Sequence, residues 1–274
     1  MQGLRDLRVV DFSNRIAGAY ATKLMADAYA EVIKVEPPEG DPLRRWSASG
    51  QDLDGKDGAL FQFLNTSKKS VVGAIGDEAI DALLRGADLV VETSDGGMDA
   101  KALAEQYPGL AVLSISDYGL DGPLSGQPSA DLTVQANSGA ISVRGLQSMP
   151  PVMCGGQTTE WIGGTFSAVA GLAAALRTRA NGQGEHIDFS LCEVMNIGST
   201  TYADLMDHMN GRPEPVGGPR SVELPSIEPT LDGWVGFNTN SNQQFTDFLL
   251  LIERPDLLEA VSYTHLTLPT IYSV

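Results

Sequence analysis

The amino-acid sequence predicts an α/β protein built on a parallel β-sheet with helices on both faces. Short runs rich in β-branched residues alternate with longer segments in which apolar residues recur at helical spacing. Two of the helical segments close on turn-forming residues, one on Gly86 and one on Pro108-Gly109. Strands that alternate with helices in this way are typical of parallel sheets with crossover helices.

The elements are predicted in chain order from these patterns. The β-branched runs predict strands at 7–12, 31–36, 70–75, 88–93, 110–116 and 185–191. Helical periodicity predicts helices at 17–30, 77–86, 99–109, from 131 onward, at 158–179 and at 192–211. The helix at 158–179 is rich in alanine and glycine, which indicates close packing against another element of the fold or another subunit.

The domain organisation follows from a change in composition after residue 210. We predict a large domain at 1–210 and a linker at 211–226, which is rich in proline, glycine and charge. Residues 227–261 predict a turn, a strand and a helix, the start of a smaller second domain with too few residues for its own core. The tail 262–274 has no charged residue; an edge strand is one interpretation, but we favour sequence read past a coding join and treat it as uninformative.

Composition narrows the function classes. The 274-residue chain has a formal net charge of −17, which disfavours nucleic-acid partners. The two cysteines, Cys154 and Cys192, belong to no Cys/His cluster, so no metal site is predicted. The sequence has neither a signal-peptide core nor a long apolar run, so we expect no membrane association and a cytoplasmic location.

The common motifs of nucleotide and hydrolase sites are missing. The first strand is followed by a single glycine, Gly18, in place of G-x-G-x-x-G, so the layout is Rossmann-like without a dinucleotide fingerprint. No Walker A or G-x-S-x-G sequence occurs. Of the three histidines, His186 is expected to be structural, His208 to be a solvated helix-end cation, and His265 lies in the tail. Any chemistry must therefore use a carboxylate, a lysine or a thiol.

The stretch "GQPSADLTVQ" (126–135) contains a carboxylate at a predicted helix start. Ser129 is the expected N-cap, which puts Asp131 at the second helical position. The positive end of the helix dipole favours an ionised carboxylate there. Asp131 is thus either a nucleophile or an ordinary first-turn acid, which stabilises a helix by about 0.3–1 kcal/mol.

A family resemblance bears on this alternative. The chain resembles the family III CoA-transferases (the CaiB/BaiF family, which includes formyl-CoA and carnitine-CoA transferases) over about residues 3–260. Six phrases carry it in order: "AEVIKVEPPEGDPLR", "LNTSKKSV", "ADLVVET", "SISDYGLDGP", "DLTVQANSG" and "NGQGEHIDFSL". The resemblance implies a Rossmann-like large domain, a smaller second domain, an interlocked homodimer, and a chain that continues past residue 274.

The resemblance also implies the chemistry. The family's nucleophile opens the phrase D-x-x-x-Q-A-x-S-G, which matches Asp131. CoA would pass between an acyl-CoA and a carboxylic acid through an aspartyl intermediate, with CoA as substrate and no tightly bound cofactor. Tyr118 and Gly119 match positions near the CoA thiol, and the backbone of Ile16 and Ala17 matches positions that hold CoA.

Basic side chains are expected to bind the CoA phosphates. The residues available are Arg44, Lys101, and Lys68 or Lys69. Ordinary surface charge is the alternative interpretation. The chain departs from the family pattern at Thr93, at Ser94 and around Gly76, which bears on CoA affinity.

Two other functions compete. In the first alternative, the chain is non-catalytic and forms a degenerate half or a scaffold subunit of a larger CoA-transferase. The related α-methylacyl-CoA racemases carry a histidine directly before the shared aspartate, where this chain has Ala130. Proton exchange by two bases is therefore disfavoured.

Overall fold

A computed structural model describes residues 3–93, 97–141, 150–199, 227–236 and 241–259. The chain divides into two compact units, one formed by 1–141 and 153–201 and the other by 142–152 and 202–274. The predicted linker 211–226, the boundary at residue 210 and the tail 262–274 lie outside the described residues, so the predicted domain limits stay predictions.

The first unit contains a six-stranded parallel sheet, which confirms the predicted fold class. Its strands are β1 (Arg8–Asp11), β2 (Glu31–Glu36), β3 (Lys69–Val72), β4 (Leu89–Thr93), β5 (Ala111–Ser116) and β6 (Glu185–Ser190). They lie in the order β3-β2-β1-β4-β5-β6. This is the doubly wound arrangement, which places ligands beyond the carboxyl ends of the strands near the point where the strand order reverses.

Helices connect the strands. They are α1 (Ile16–Asp27), α2 (Ala59–Asn65), α3 (Glu78–Arg85), α4 (Ala100–Gln106), α5 (Asp131–Asn137), α6 (Thr158–Asn181) and α7, which is described over 191–199. The helix α2, of seven residues, was not predicted from the sequence.

Each face of the sheet has its own apolar core. Successive side chains of a strand point to opposite faces, so Val9 packs in the core with α1 and α6, and Val10 packs in the core with α3 and α4. A third cluster joins the start of α1 to α2 through Ile16, Phe61 and Leu64. Helices thus cover both faces, as predicted.

The small residues of α6 allow a close approach to α1. A Cβ atom added at Gly164 would lie 2.7 Å from the backbone oxygen of Ala17, closer than side chains tolerate. This confirms the close packing expected from the composition of α6. It also brings the first turns of α1 and α6 side by side near the carboxyl edge of the sheet.

The second unit contains a short hairpin and a helix. Strands β7 (Ile227–Pro229) and β8 (Trp234–Gly236) pair antiparallel, and α8 (Asn242–Leu251) follows. The hydroxyl of Ser241 caps α8 by accepting from the Gln244 N–H at 3.2 Å. A 3-10 turn at Pro255–Glu259 ends the described part. Among the described residues, no helix has the length and apolar character needed to span a membrane.

Candidate active site

Asp131 is the first residue of α5. The N-cap is Ala130, so the prediction that Ser129 caps this helix was wrong by one residue. The Ser129 hydroxyl instead donates to the Asp117 carboxylate. The Ala130 N–H donates to Thr133 Oγ1 at 2.9 Å, so the helix start is stabilised from within its own first turn.

One oxygen of the Asp131 carboxylate is buried without a bond. Its Oδ1 atom has no hydrogen-bond partner among the described residues. A buried polar atom that lacks a partner is uncommon and requires an explanation, because its desolvation is not compensated. The explanation here is the cavity that Asp131 lines.

Asp131 lines a cavity of about 280 Å³. The cavity is polar and lies near the carboxyl edge of the sheet, since Arg15 follows β1 and Asp117 follows β5. Open α/β sheets bind ligands at this edge. The lining residues are Arg15, Asp117, Ser129, Ala130, Asp131, Val134, Thr159 and Glu160.

Arg15 connects two acidic residues of the cavity. Its guanidinium donates to Asp117 at 2.7 and 3.1 Å and to Glu160 at 3.0 Å. Burial opposes the charge on Arg15, but the bonds to Asp117 and Glu160 outweigh it and raise the pKa of the guanidinium. The lining therefore has one cation against the carboxylates of Asp117, Asp131 and Glu160.

Sequence reasoning missed Arg15, Glu160 and Thr159. Arg15 lies in the first strand-to-helix turn, and its position there was a usable signal. Glu160 lies in the first turn of α6, separated from Arg15 by 145 residues. No local pattern links them, because the pair forms only when α1 and α6 pack together.

Ile16 and Ala17 were predicted to hold CoA through their backbone. Both are buried at the start of α1. The Ala17 N–H donates to Glu160 Oε2 at 2.8 Å, so this donor is already engaged by the cavity's own carboxylate. Their assignment to CoA stays a prediction.

Tyr118 rests against the helix that carries Asp131. Its hydroxyl donates to Thr133 Oγ1 at 3.3 Å and accepts from Asn137 Nδ2 at 2.9 Å. Gly119 follows at φ +83°, a conformation that favours glycine. The structure thus brings Tyr118 to α5, while the proposed contact with the CoA thiol is untested.

A buried glutamine fixes the loop before α6. The Gln135 side chain donates from Nε2 to the Cys154 carbonyl and accepts at Oε1 from the Cys154 N–H, both at 2.9 Å. Gln135 lies one turn after Asp131 on α5. The glutamine of the family phrase therefore joins the Asp131 helix to the segment that leads into α6.

The predicted phosphate ligands lie elsewhere. Arg44 pairs with Glu36 at 2.7 Å and Asp57 at 2.6 Å, and the buried Lys68 pairs with Asp11 at 3.0 Å. The exposed Lys69 pairs with Glu31 at 2.6 Å, and Lys101 is exposed on α4. None of these four predicted phosphate ligands lines the cavity.

Thr93 and His186 do not line the cavity. Thr93 Oγ1 donates to Asn14 Oδ1 at 2.6 Å, and Ser94 lies outside the described residues. His186 Nε2 lies 2.9 Å from Ser114 Oγ on the neighbouring strand, a position within the sheet. In the described ranges, no three His, Cys, Asp or Glu side chains are grouped as a metal would require.

The sequence profile of "CoA-transferase family III" matches residues 4–267. The chain belongs to this family. A relative from Agrobacterium fabrum named succinate–glutarate CoA-transferase is 31% identical over 88% of this chain and 64% of its own length. A succinyl-CoA:mesaconate CoA-transferase from Haloarcula hispanica is 32% identical over 94% of this chain and 69% of its own length.

Solved structures agree with this family III membership. A CaiB/BaiF family protein from Brucella suis has a TM-score of 0.72 and 27% identity, covering 95% of this chain and 72% of that one. The chain thus spans about two thirds of the length of the proteins it matches, 64% for the Agrobacterium relative.

Proposed function

We propose that this family III protein moves CoA between an acyl-CoA and a carboxylic acid, with Asp131 as the covalent nucleophile. The observation that carries the proposal is the Asp131 carboxylate, which has a buried, unbonded oxygen beside a cavity of about 280 Å³. Relatives named as CoA-transferases support the reaction class. The name of the Haloarcula relative pairs an acyl-CoA, succinyl-CoA, with mesaconate, which is the kind of exchange proposed here.

The reaction is an exchange through covalent intermediates. An Asp131 oxygen attacks the thioester carbonyl, the C–S bond breaks, and a mixed anhydride forms as the CoA thiolate leaves. The thiolate then attacks the aspartyl carbonyl of the anhydride, which releases the donor acid and leaves an aspartyl-CoA thioester. The acceptor carboxylate attacks the carbonyl of this thioester, the C–S bond breaks, and a second mixed anhydride forms. The CoA thiolate then attacks the acceptor's carbonyl in that anhydride, which gives the new acyl-CoA and releases the Asp131 carboxylate. Splitting one difficult exchange into such steps is how nucleophilic catalysis lowers barriers.

The surrounding residues support a nucleophile at this place. The N-terminal end of α5 favours a negative carboxylate. Arg15 neutralises part of the charge of Asp117 and Glu160, so the cavity does not repel a negatively charged oxygen as strongly as bare carboxylates would. Ala130 supplies no imidazole, so a two-base racemase has no second base at that position.

The oligomeric state, the cellular location and the absence of a resident cofactor are proposed from the family resemblance. We propose that the protein acts as an interlocked homodimer in the cytoplasm, with CoA as substrate and no resident cofactor. Succinyl-CoA is the first donor to test, because the Haloarcula relative is named for it.

Trapping with hydroxylamine tests the proposal. The 274-residue chain is incubated with succinyl-CoA and then with hydroxylamine, and its peptides are analysed by mass spectrometry. We expect a hydroxamate on Asp131, because hydroxylamine attacks the aspartyl-CoA thioester at the aspartyl carbonyl.

Two variants serve as controls for the trapping. Asp131→Asn should form no adduct, while Glu78→Gln, which removes a first-turn carboxylate from α3 outside the cavity, should react like the parent. Absence of an adduct across a panel of acyl-CoA esters would reject the nucleophile and favour the non-catalytic scaffold.

A further inference from the structure

Thr159 shares an unusual property with Asp131. It is the second residue of α6, is 3% exposed, and lines the same cavity. Its Oγ1 atom has no hydrogen-bond partner among the described residues. Of the described residues with a buried, unbonded side-chain atom, Asp131 and Thr159 are the two that line the cavity.

The local backbone does not use the Thr159 hydroxyl. A helical threonine commonly donates to a carbonyl three or four residues earlier, which here means Gly156 or Gly155. The Gly156 carbonyl accepts from Trp161 Nε1 at 3.1 Å, and the Gly155 carbonyl accepts from Thr158 Oγ1 at 2.8 Å. Leaving a buried hydroxyl unbonded costs free energy, because its desolvation is not compensated.

We propose that the Thr159 hydroxyl donates a hydrogen bond to the acyl oxygen of the substrate during attack by Asp131. The inference rests on the proposed function. When the Asp131 oxygen bonds to the thioester carbon, the carbonyl π pair moves onto the acyl oxygen, which becomes negative. The hydroxyl stabilises that charge while keeping its own proton, and the charge returns to the carbonyl bond as the C–S bond breaks.

The arrangement suits a donor of this kind. The nearby guanidinium of Arg15 is bonded to Asp117 and Glu160, so the charged donor of the cavity is already committed. A neutral hydroxyl from the first turn of a long helix is held rigidly and needs no reorganisation at the moment of reaction. The ligand that fits is a carbonyl oxygen bonded to the carbon under attack by Asp131.

Three variants test the role of the hydroxyl. Thr159→Val removes it with little change in shape, Thr159→Ser keeps it, and Thr178→Val is the matched control. Thr178 lies on the same helix, is equally buried at 3% exposure, and also has an unbonded hydroxyl, but it lies outside the cavity.

The rate of hydroxamate formation on Asp131 from succinyl-CoA is the main readout. We expect Thr159→Val to slow it by on the order of 10²-fold, as for the loss of one oxyanion donor. Thr159→Ser and Thr178→Val should react at close to the parent rate. Both valine variants should unfold at or above the parent's thermal midpoint, because a methyl group replaces an unbonded hydroxyl.

Each contrary outcome has a distinct meaning. A parent-like rate in Thr159→Val overturns the inference and leaves the Asp131 proposal intact. A slow Thr159→Ser overturns it as well, because size and not the hydroxyl would then matter. A lower thermal midpoint for Thr159→Val than for Thr178→Val would assign the hydroxyl to the fold. If the parent forms no Asp131 adduct, the proposed function fails first and the inference falls with it.

Discussion

Two polar clusters of the first unit differ in how fully their atoms are bonded. The inner network consists of Asp11, Lys34, Glu36, Asp41 and Lys68. The cavity cluster consists of Arg15, Asp117, Asp131, Thr159 and Glu160. Both include a residue at or just beyond the carboxyl end of β1, Asp11 in the first and Arg15 in the second. The charged side chains are buried in the inner network and half-buried in the cavity cluster.

The inner network is closed by ion pairs as well as hydrogen bonds: Asp41 Oδ2, which accepts no hydrogen bond, lies 2.6 Å from Lys34 Nζ. Asp11 Oδ2 accepts from Thr22 Oγ1 at 2.6 Å and from Lys68 Nζ at 3.0 Å, and its Oδ1 accepts from the Ser13 N–H at 2.9 Å. Lys34 Nζ donates to the Ser13 carbonyl at 2.6 Å. Burial opposes the charge on Asp11, but the two lysines and these bonds hold its pKa well below the usual range.

The cavity cluster is open. Arg15 closes one side of it by binding Asp117 and Glu160, but Asp131 Oδ1 and Thr159 Oγ1 stay unbonded. Buried polar atoms normally find partners during folding. Of the described residues that have a buried side-chain atom without a hydrogen bond, Asp131 and Thr159 are the two that line the cavity, where a ligand would supply the partners. The inner network should therefore control stability, and the cavity cluster should affect it little.

The largest effect is expected from Asp11→Asn. The variant leaves the buried Lys68 without its ion-pair partner and leaves Lys34 paired with Asp41 alone, and breaking such an arrangement costs about 3–5 kcal/mol. The free energy of unfolding, measured by urea denaturation at neutral pH, should fall by this amount. Asp121→Asn, on an exposed loop, is the control and should change little. A loss below about 1 kcal/mol in Asp11→Asn would mean that the network is structurally dispensable.

A smaller, pH-dependent effect is expected from Glu36→Gln. Bonds from Arg44 chiefly lower the pKa of Glu36 from 4.5 to about 2, against the effect of burial. A lowered pKa means that Glu36 stabilises the fold above pH 4.5 and that this contribution is lost as the pH falls toward 2. At pH 7 the variant should therefore be less stable by on the order of 2 kcal/mol.

The deficit of Glu36→Gln should disappear on acidification. Urea unfolding of parent and variant across the acidic range measures the difference directly, and Glu78→Gln on α3 is the exposed control. Parent and Glu36→Gln curves that stay parallel down to pH 2 would show that the Arg44 bonds do not hold the Glu36 carboxylate in its charged form.

Features that depend on neighbouring residues could be predicted from the sequence, but pairs formed by distant residues could not. The strand at 31–36 was predicted with its observed limits, because Val32, Ile33 and Val35 form a local β-branched run. Lys68 was one of two neighbouring lysines considered for phosphate binding, because a sequence displays a residue's charge but not its partner. That partner, Asp11, lies 57 residues earlier and meets Lys68 only after β1 and the segment before β3 come together.

Only part of the candidate site could be predicted from the sequence. Asp131 was found because the phrase around it is contiguous in the chain. Thr159 could not be found, since an unbonded hydroxyl is a property of the packed structure and leaves no mark on residue order. The predicted start of α5 was wrong by one residue. Thr133 Oγ1 accepts a hydrogen bond from the Ala130 N–H, and Ala130, not Ser129, is the N-cap.

The smallest change in stability is expected from Asp131→Asn. The carboxylate lies in the first turn of α5, which contributes about 0.3–1 kcal/mol, while its buried Oδ1 is unbonded and costs free energy. These terms oppose each other, so the free energy of unfolding should change by less than about 1 kcal/mol. A loss as large as that of Asp11→Asn would place Asp131 in the structural class and remove the distinction between the two clusters. A parent-like stability would instead mean that the fold does not require this carboxylate, which is the behaviour expected of a group kept for a reaction.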